Sequence, residues 1–261
     1  MNTKNINKDR ALYFSKFSDL YDEVRPGYSD DVYQEILKYL KVQPNLNFME
    51  IGAGNGVATQ EINRIWKPNL TLIEPGRELC DLLETRFQSE NNIEIINDYF
   101  ENVTFEKESF DAIFSATAFH WLDKKRKYRK SHELLRENGL LVLFWNNYLI
   151  DDPEVALKIQ KVYRKYGYVK SNYCIYKRQA ETIEYLKNEI VRSKFFELLV
   201  HKLFVTPLEF SSAKYIKLLK TYPSHASYSD IFFDEIAKII MADSDRIVVR
   251  ITTNVEIAKK V

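Results

Sequence analysis

The stretch at residues 47–56, NFMEIGAGNG, constrains the fold more than any other. Three of the chain's seven glycines fall there at alternate positions, behind a short run that is apolar apart from Asn47 and Glu50. Such a run reads as a buried strand. Glycines at 52, 54 and 56 permit a tight turn with positive φ and let the backbone approach a ligand with no Cβ in the way. One glycine would suit a bare strand-to-helix turn, but three in alternation point to a ligand.

The same rhythm continues for about a hundred residues. VATQEINRIW reads as a helix, LTLIE as a strand ending at Pro75-Gly76, and RELCDLLETRF as a helix with Leu79, Leu82, Leu83 and Phe87 on one face. IEIIND, FDAIFSAT and GLLVLFWN supply three further strands, the last preceded by a helix through Leu134 and Leu135 that Gly139 is expected to stop. Strands separated by helices of this length pair in parallel through right-handed crossovers, which predicts a doubly wound α/β sheet. Upstream, Ser29, Asp30 and Asp31 offer caps to a helix in DVYQEILKYL. Beyond residue 150 the alternation fails. Residues 151–199 are rich in lysine and tyrosine and read as a helical cap. LLVHKLFV, SSAKYIKLLKTY, SDIFFDEIAKIIM and RIVVRITTNVEIAKK then read as strand, helix, helix and a last strand that returns to the sheet.

Bulk properties give no support to several partners, which would need a local patch. With 38 basic and 37 acidic residues in 261, the formal charge of +1 gives no global field for nucleic acid or an acidic membrane. No apolar stretch approaches the roughly 20 residues that cross a bilayer. Cys80 and Cys174 are isolated, and the polar start lacks the apolar segment of a signal peptide, so a reduced cytoplasm is the expected setting. His120, His132, His201 and His225 are scattered, and no metal site is expected.

In an open α/β sheet, ligands sit at the carboxyl ends of the strands near the switch in strand order. A dinucleotide loop wants its third glycine where this chain has Val57. Glu50 places a negative charge just before the turn, which suits a cationic ligand better than a pyrophosphate. S-adenosylmethionine, with a sulfonium and an α-amino group and no phosphate, is such a ligand. Glu74 ends the second strand 18 residues beyond Gly56, where a carboxylate can accept from both ribose hydroxyls.

Taken together, these residues resemble the class I S-adenosylmethionine-dependent methyltransferases, especially the small-molecule branch similar to trans-aconitate methyltransferases. MEIGAGNG resembles the family's first motif, LTLIEPG its second, IINDYFENV its third, FDAIFSATAFHWLD the fourth strand and its loop, and GLLVLFWN the fifth strand. FSDLYDEVRPGY is similar to a lid segment, and LLKTYPSHASYS to a late segment of that branch. The resemblance implies a Rossmann-like, seven-stranded, mostly parallel sheet with a helical cap between the fifth strand and the last strands. It also implies a division into a lid and helix at 1–47, a cofactor core at 48–150, a cap at 151–199 and sheet-completing elements at 200–261. Within it, Gly52, Gly54 and Gly56 would lie along the methionine and ribose, with Glu50 ordering the loop and the amino group. Glu74, followed by Pro75, would hold the ribose. Asp98 and Tyr99 would meet the adenine, and Ser115 and Ala116 would turn carbonyls to the amine. Tyr21 and Arg25 would reach down from the lid, Arg25 to the methionine carboxylate unless it forms a surface ion pair.

A sulfonium already carries a good leaving group, so alignment and exclusion of water dominate, lowering a barrier by up to about 7–11 kcal/mol. A base is needed only where the nucleophile must lose a proton. His120, in AFHW, is the nearest candidate, although a histidine beside Trp121 also serves as a pocket wall. The basic run KKRKYRK at 124–130 could bind phosphates, or form the solvated start of the helix before the fifth strand. The fourth-strand loop has neither an Asn-Pro-Pro-aromatic nor a Pro-Cys motif, which disfavours methylation of nucleic-acid bases. Tyr163, Tyr166, Tyr168, Tyr173 and Tyr176 could line a pocket or pack helices. The expected partner is a small-molecule substrate, with S-adenosylhomocysteine as product and a monomer or homodimer as the active form. A noncatalytic binding module on the same fold, and a nicotinamide-dependent oxidoreductase, are the alternatives.

Overall fold

In the computed structural model, which describes residues 20, 23–169, 175–242 and 244–261, the apolar runs assemble into one seven-stranded sheet of order β3-β2-β1-β4-β5-β7-β6. β1 (Asn47–Ile51) lies between β2 (Asn69–Ile73) and β4 (Phe110–Ala116), parallel to both. Its last four residues are buried, because a central strand covered on both faces wants a continuous apolar run and not an alternation. β3 (Ile93–Ile96) adds to β2 and β5 (Leu135–Ile150) to β4, all parallel. β7 (Arg246–Lys260) inserts antiparallel between β5 and β6 (Phe196–Ser211). The chain reverses direction across the sheet between β1 and β4, so their carboxyl ends form the crevice expected of this topology.

α1 (Asp30–Ile36) and α2 (Val57–Trp66) cover one face, where Phe48, Trp66, Phe114, Phe144 and Tyr33 interlock. α3 (Arg77–Arg86) follows β2 and presses Leu83 and Phe87 against the glycine turn. On the other face α4 (Lys127–Leu134) and α6 (Ile175–Ser193) pack Tyr128, Leu186 and Ile190 onto Met49, Ile113, Leu141 and Leu143. α5 (Pro153–Lys165), α7 (Ser212–Lys220) and α8 (Asp230–Met241) form a third apolar cluster around Phe232, Leu218 and Ile236. Each of these three has a side-chain cap: Asp152 accepts from the amides of Glu154 and Val155, Ser211 from Lys214 and Ser229 from Phe232.

Two expectations are corrected. Gly139 does not stop a helix: α4 ends at Leu134, and Leu135 already pairs with Phe110 in β5. The register then shifts between Phe110 and Ala112, and Asn138 takes φ +63°, so Gly139 lies inside an irregular strand. A Cβ there would approach the Arg136 carbonyl to 2.9 Å, so close backbone approach, and not helix termination, is what requires glycine. The basic run is only partly solvated. Lys127 is buried, and Lys130 turns inward to donate to the carbonyls of Phe100 and Val103.

Candidate functional site

The turn from β1 into α2 is built as its glycines suggest. Gly52, Gly54 and Gly56 all have positive φ, at +70°, +60° and +83°. At Gly52 an added Cβ would lie 2.4 Å from the Ala118 Cβ, and at Gly56 one would lie 2.7 Å from the Phe87 ring. At Gly54 it would meet nothing within 4 Å. Two of the glycines therefore allow the turn to pack closely against its neighbours, while the third leaves room above the loop.

That room is a cavity of about 50 Å³ whose wall includes Arg25, Pro26, Tyr28, Glu50, Gly52, Gly54 and Ala116. Glu50 is fully buried, with Oε2 accepting from the Thr59 hydroxyl at 2.6 Å. Oε1 has no partner. Burial pushes the Glu50 carboxyl up to about 8, against the pull of the Thr59 bond. A buried carboxylate oxygen with no donor is costly, and a cationic donor placed beside it would remove that cost.

Glu74, Pro75, Asp98, Tyr99 and Ser115 line the same edge of the sheet without joining that cavity wall. Glu74 is buried, with Oε2 accepting from the Gly54 amide and Oε1 from the Gly76 amide, both at 2.9 Å. Burial raises its pKa, and the two amide bonds pull it down. Pro75 is half-buried beside it. Asp98 Oδ1 accepts from the Tyr99 amide and from Asn102 Nδ2, each at 2.7 Å, which closes the turn after β3. Ser115 is buried at the end of β4, its hydroxyl donating to the Ile51 carbonyl at 2.8 Å. Tyr21 lies outside the described residues, as do Tyr173 and Cys174. Arg25 is held by the Thr221 hydroxyl at 2.9 Å, with its guanidinium 4.4 Å from the Tyr222 ring centroid.

A second cavity, of about 360 Å³, shares Arg25, Thr117 and Asn146 with the first. His120, Trp121, Trp145, Tyr185 and Leu186 form its walls, with Lys124, Lys127 and Glu189. Lys127 Nζ donates to Glu189 Oε2 at 2.6 Å, and burial lowers the pKa of this lysine. Tyr128 donates to the same oxygen at 3.1 Å. These bonds tie α6 to α4. Thr117 is at the junction of the two cavities with φ +58°, and its hydroxyl is bonded to that of Tyr28 at 2.9 Å. A β-branched residue in that region is strained.

Sequence reasoning missed Thr59, Thr117, Asn146 and Glu189. Thr59 alone left a signal, a buried-face hydroxyl one turn into the helix after the glycine loop. Of the tyrosines read as pocket lining or helix packing, those whose side chains are described pack. Tyr163, Tyr166 and Tyr168 pack their rings on Phe232. The Tyr163 hydroxyl is hydrogen-bonded to His225 Nε2 at 2.7 Å, and burial lowers that histidine to about 4. Among the described residues no group of three or more His, Cys, Asp or Glu could hold a metal, and no helix is long and apolar enough to cross a membrane.

Residues 49–143, from within β1 into β5, match the family model of the methyltransferase domain. The CRG1 protein of Saccharomyces cerevisiae, named a probable S-adenosylmethionine-dependent methyltransferase, is 29% identical over 157 residues, covering 58% of this chain and 52% of that one. The chain spans about half the length of the curated relatives it matches first. Among solved structures, a protein of Anaeromyxobacter dehalogenans assigned as a type II methyltransferase superposes with a TM-score of 0.61 at 15% identity, covering 90% of this chain and 97% of that one. An N-methyltransferase of phosphoethanolamine from Haemonchus contortus, solved with phosphomonomethylethanolamine and S-adenosylhomocysteine, gives 0.56 at 13% identity, covering 100% and 60%. At these identities the structural likeness is one of fold.

Proposed function

We propose that this chain is a methyltransferase, that it binds S-adenosylmethionine along the carboxyl ends of β1 to β4, and that it directs the methyl group to a small-molecule acceptor in the 360 Å³ cavity. The observation that carries this reading is Glu50 Oε1, buried, without a donor and in the wall of a glycine-built cradle. The α-amino group of the cofactor would supply the missing donor, with the carbonyls of Ser115 and Ala116 near it and Arg25 for the carboxylate. Gly52, Gly54 and Gly56 keep the loop close enough for its backbone to follow the ligand. Each oxygen of Glu74 keeps acceptor capacity beyond its amide bond, which suits the ribose hydroxyls. Asp98 and Tyr99, with Pro75, would flank the adenine. When bound, the cofactor supplies an electrophilic methyl group.

The residues of this chain do the positioning. Thr117 and Asn146 line both cavities, so the donor and acceptor chambers meet at them. Trp121, Trp145 and Leu186 exclude water from the acceptor side, where proximity contributes most. With Arg25 on the cofactor carboxylate and Lys127 paired with Glu189, Lys124 is the lining cation left to favour an acidic acceptor of the trans-aconitate kind. In this account residues 48–150 form the cofactor core, 151–199 the cap that closes the acceptor side and 1–47 the lid, in a cytoplasmic enzyme. Calorimetric titration tests it: S-adenosylmethionine and S-adenosylhomocysteine should bind saturably and NAD should not, and Glu74→Gln and Asp98→Ala should each weaken binding. A folded protein that binds NAD and neither sulfur compound would refute it.

A further inference from the structure

Trp145 and His120 meet in the wall of the larger cavity, and their contact decides what the histidine can do. The Trp145 indole Nε1–H donates to His120 Nδ1 at 3.2 Å. An indole nitrogen only donates, so His120 Nδ1 must be the nitrogen without a proton. The neutral ring then carries its one proton on Nε2. Both partners are fixed by the fold. Trp145 is a buried residue of β5 paired with Asn254 of β7. His120 sits in the short 3-10 turn Phe119–Trp121, its ring centroid 4.2 Å from that of Trp121.

We propose that Trp145 is a positioning residue that holds His120 as the Nε2–H tautomer, making it a hydrogen-bond donor to the acceptor and not a general base. The proposal rests on the methyl-transfer reading. A neutral imidazole takes up a proton only through its lone pair, and here that lone pair is engaged by the indole. His120 therefore moves no proton, and the acceptor arrives with its nucleophilic lone pair already unprotonated. The group it turns to His120 is an acceptor of hydrogen bonds, in keeping with the cations that share the chamber.

Long-range ¹H–¹⁵N correlation of the imidazoles in the labelled full chain tests this without any acceptor. The His120 signals are identified by their loss in His120→Gln. The wild type should show the Nε2-protonated pattern at neutral pH, and Trp145→Phe should shift it toward an average of both tautomers. A proton on Nδ1, a doubly protonated ring, or a pattern indifferent to Trp145→Phe would overturn the proposal; the first two do not depend on the Trp145 variant. Citrate added to the S-adenosylhomocysteine complex should shift the His120 Nε2 resonance, and an unmoved resonance would overturn the donor role. Amide shifts around Gly54 on adding S-adenosylhomocysteine report the cofactor site separately. Their absence beside an intact tautomer would sink the methyl-transfer reading and leave the Trp145–His120 pairing standing.

Discussion

Replacing Gly52 and Gly54 separately by alanine separates two costs that usually arrive together. Both glycines have φ near the left-handed region, +70° and +60°, so either alanine carries a backbone penalty of about 1–2 kcal/mol. At Gly54 that is the whole cost, because the new methyl meets nothing within 4 Å. At Gly52 it would lie 2.4 Å from the Ala118 Cβ, against a normal carbon contact of about 3.5–4.0 Å, so the segment after β4 must move by more than about 1 Å. Overpacking of this kind adds about 1–3 kcal/mol. For a domain of this size each kcal/mol lowers Tm by about 2–4 °C, so Gly52→Ala should melt about 2–12 °C below Gly54→Ala. Ala118 leads into His120, so the same displacement reaches the larger cavity. Thermal and denaturant unfolding of both variants, with S-adenosylhomocysteine titrations on the folded proteins, provide the assay. Equal stability of the two variants would refute the packing argument.

Four further outcomes follow from the buried ionisable groups. The Glu50 carboxyl, raised to about 8, is protonated at neutral pH in the free protein, and a cationic ligand would ionise it. Calorimetry at pH 7 in buffers of different ionisation enthalpy should therefore show proton release on binding S-adenosylmethionine, and Glu50→Gln should abolish it. A carboxyl whose folded pKa is raised contributes stability that is fully present below its unfolded value and lost as pH rises through the folded one. The free protein should accordingly lose stability between about pH 4.5 and 8, and Glu50→Gln should flatten that slope in pH-dependent unfolding. Thr59→Val removes the hydroxyl bonded to Glu50, a contact that is charge-assisted and worth about 1.5–3 kcal/mol once the ligand has ionised the carboxyl, and should weaken S-adenosylmethionine binding roughly tenfold or more by calorimetry. Glu189→Gln strands the buried Lys127 ammonium and should cost about 3 kcal/mol in denaturant unfolding, whereas Lys127→Met with Glu189→Leu should recover most of it.

The core was legible because its signals are local. NFMEI and VATQEINRIW have the composition and period of a buried strand and an amphipathic helix, and both form over the residues read. RIVVRITTNVEIAKK likewise forms β7 over its whole length. What the sequence hid depends on partners distant in the chain. Lys127 looks solvated within KKRKYRK, and only the arrival of Glu189, 62 residues later, makes it a buried charge. Leu135 belongs to β5 because Phe110 is there to pair with it. Trp145 and His120 stand 25 residues apart on different elements, so nothing local announces the indole that fixes the imidazole. Glu74 carries a second task that its position alone did not suggest, bracing the loop through the Gly54 amide.

The most direct test of the cofactor site is an experimental structure of the full chain with S-adenosylhomocysteine. The account predicts the ligand across the carboxyl ends of β1 to β4, its amino group within hydrogen-bonding distance of Glu50 Oε1, its ribose on Glu74 and its adenine beside Asp98. A ligand bound elsewhere, or an amino group that leaves Glu50 Oε1 without a donor, would contradict it.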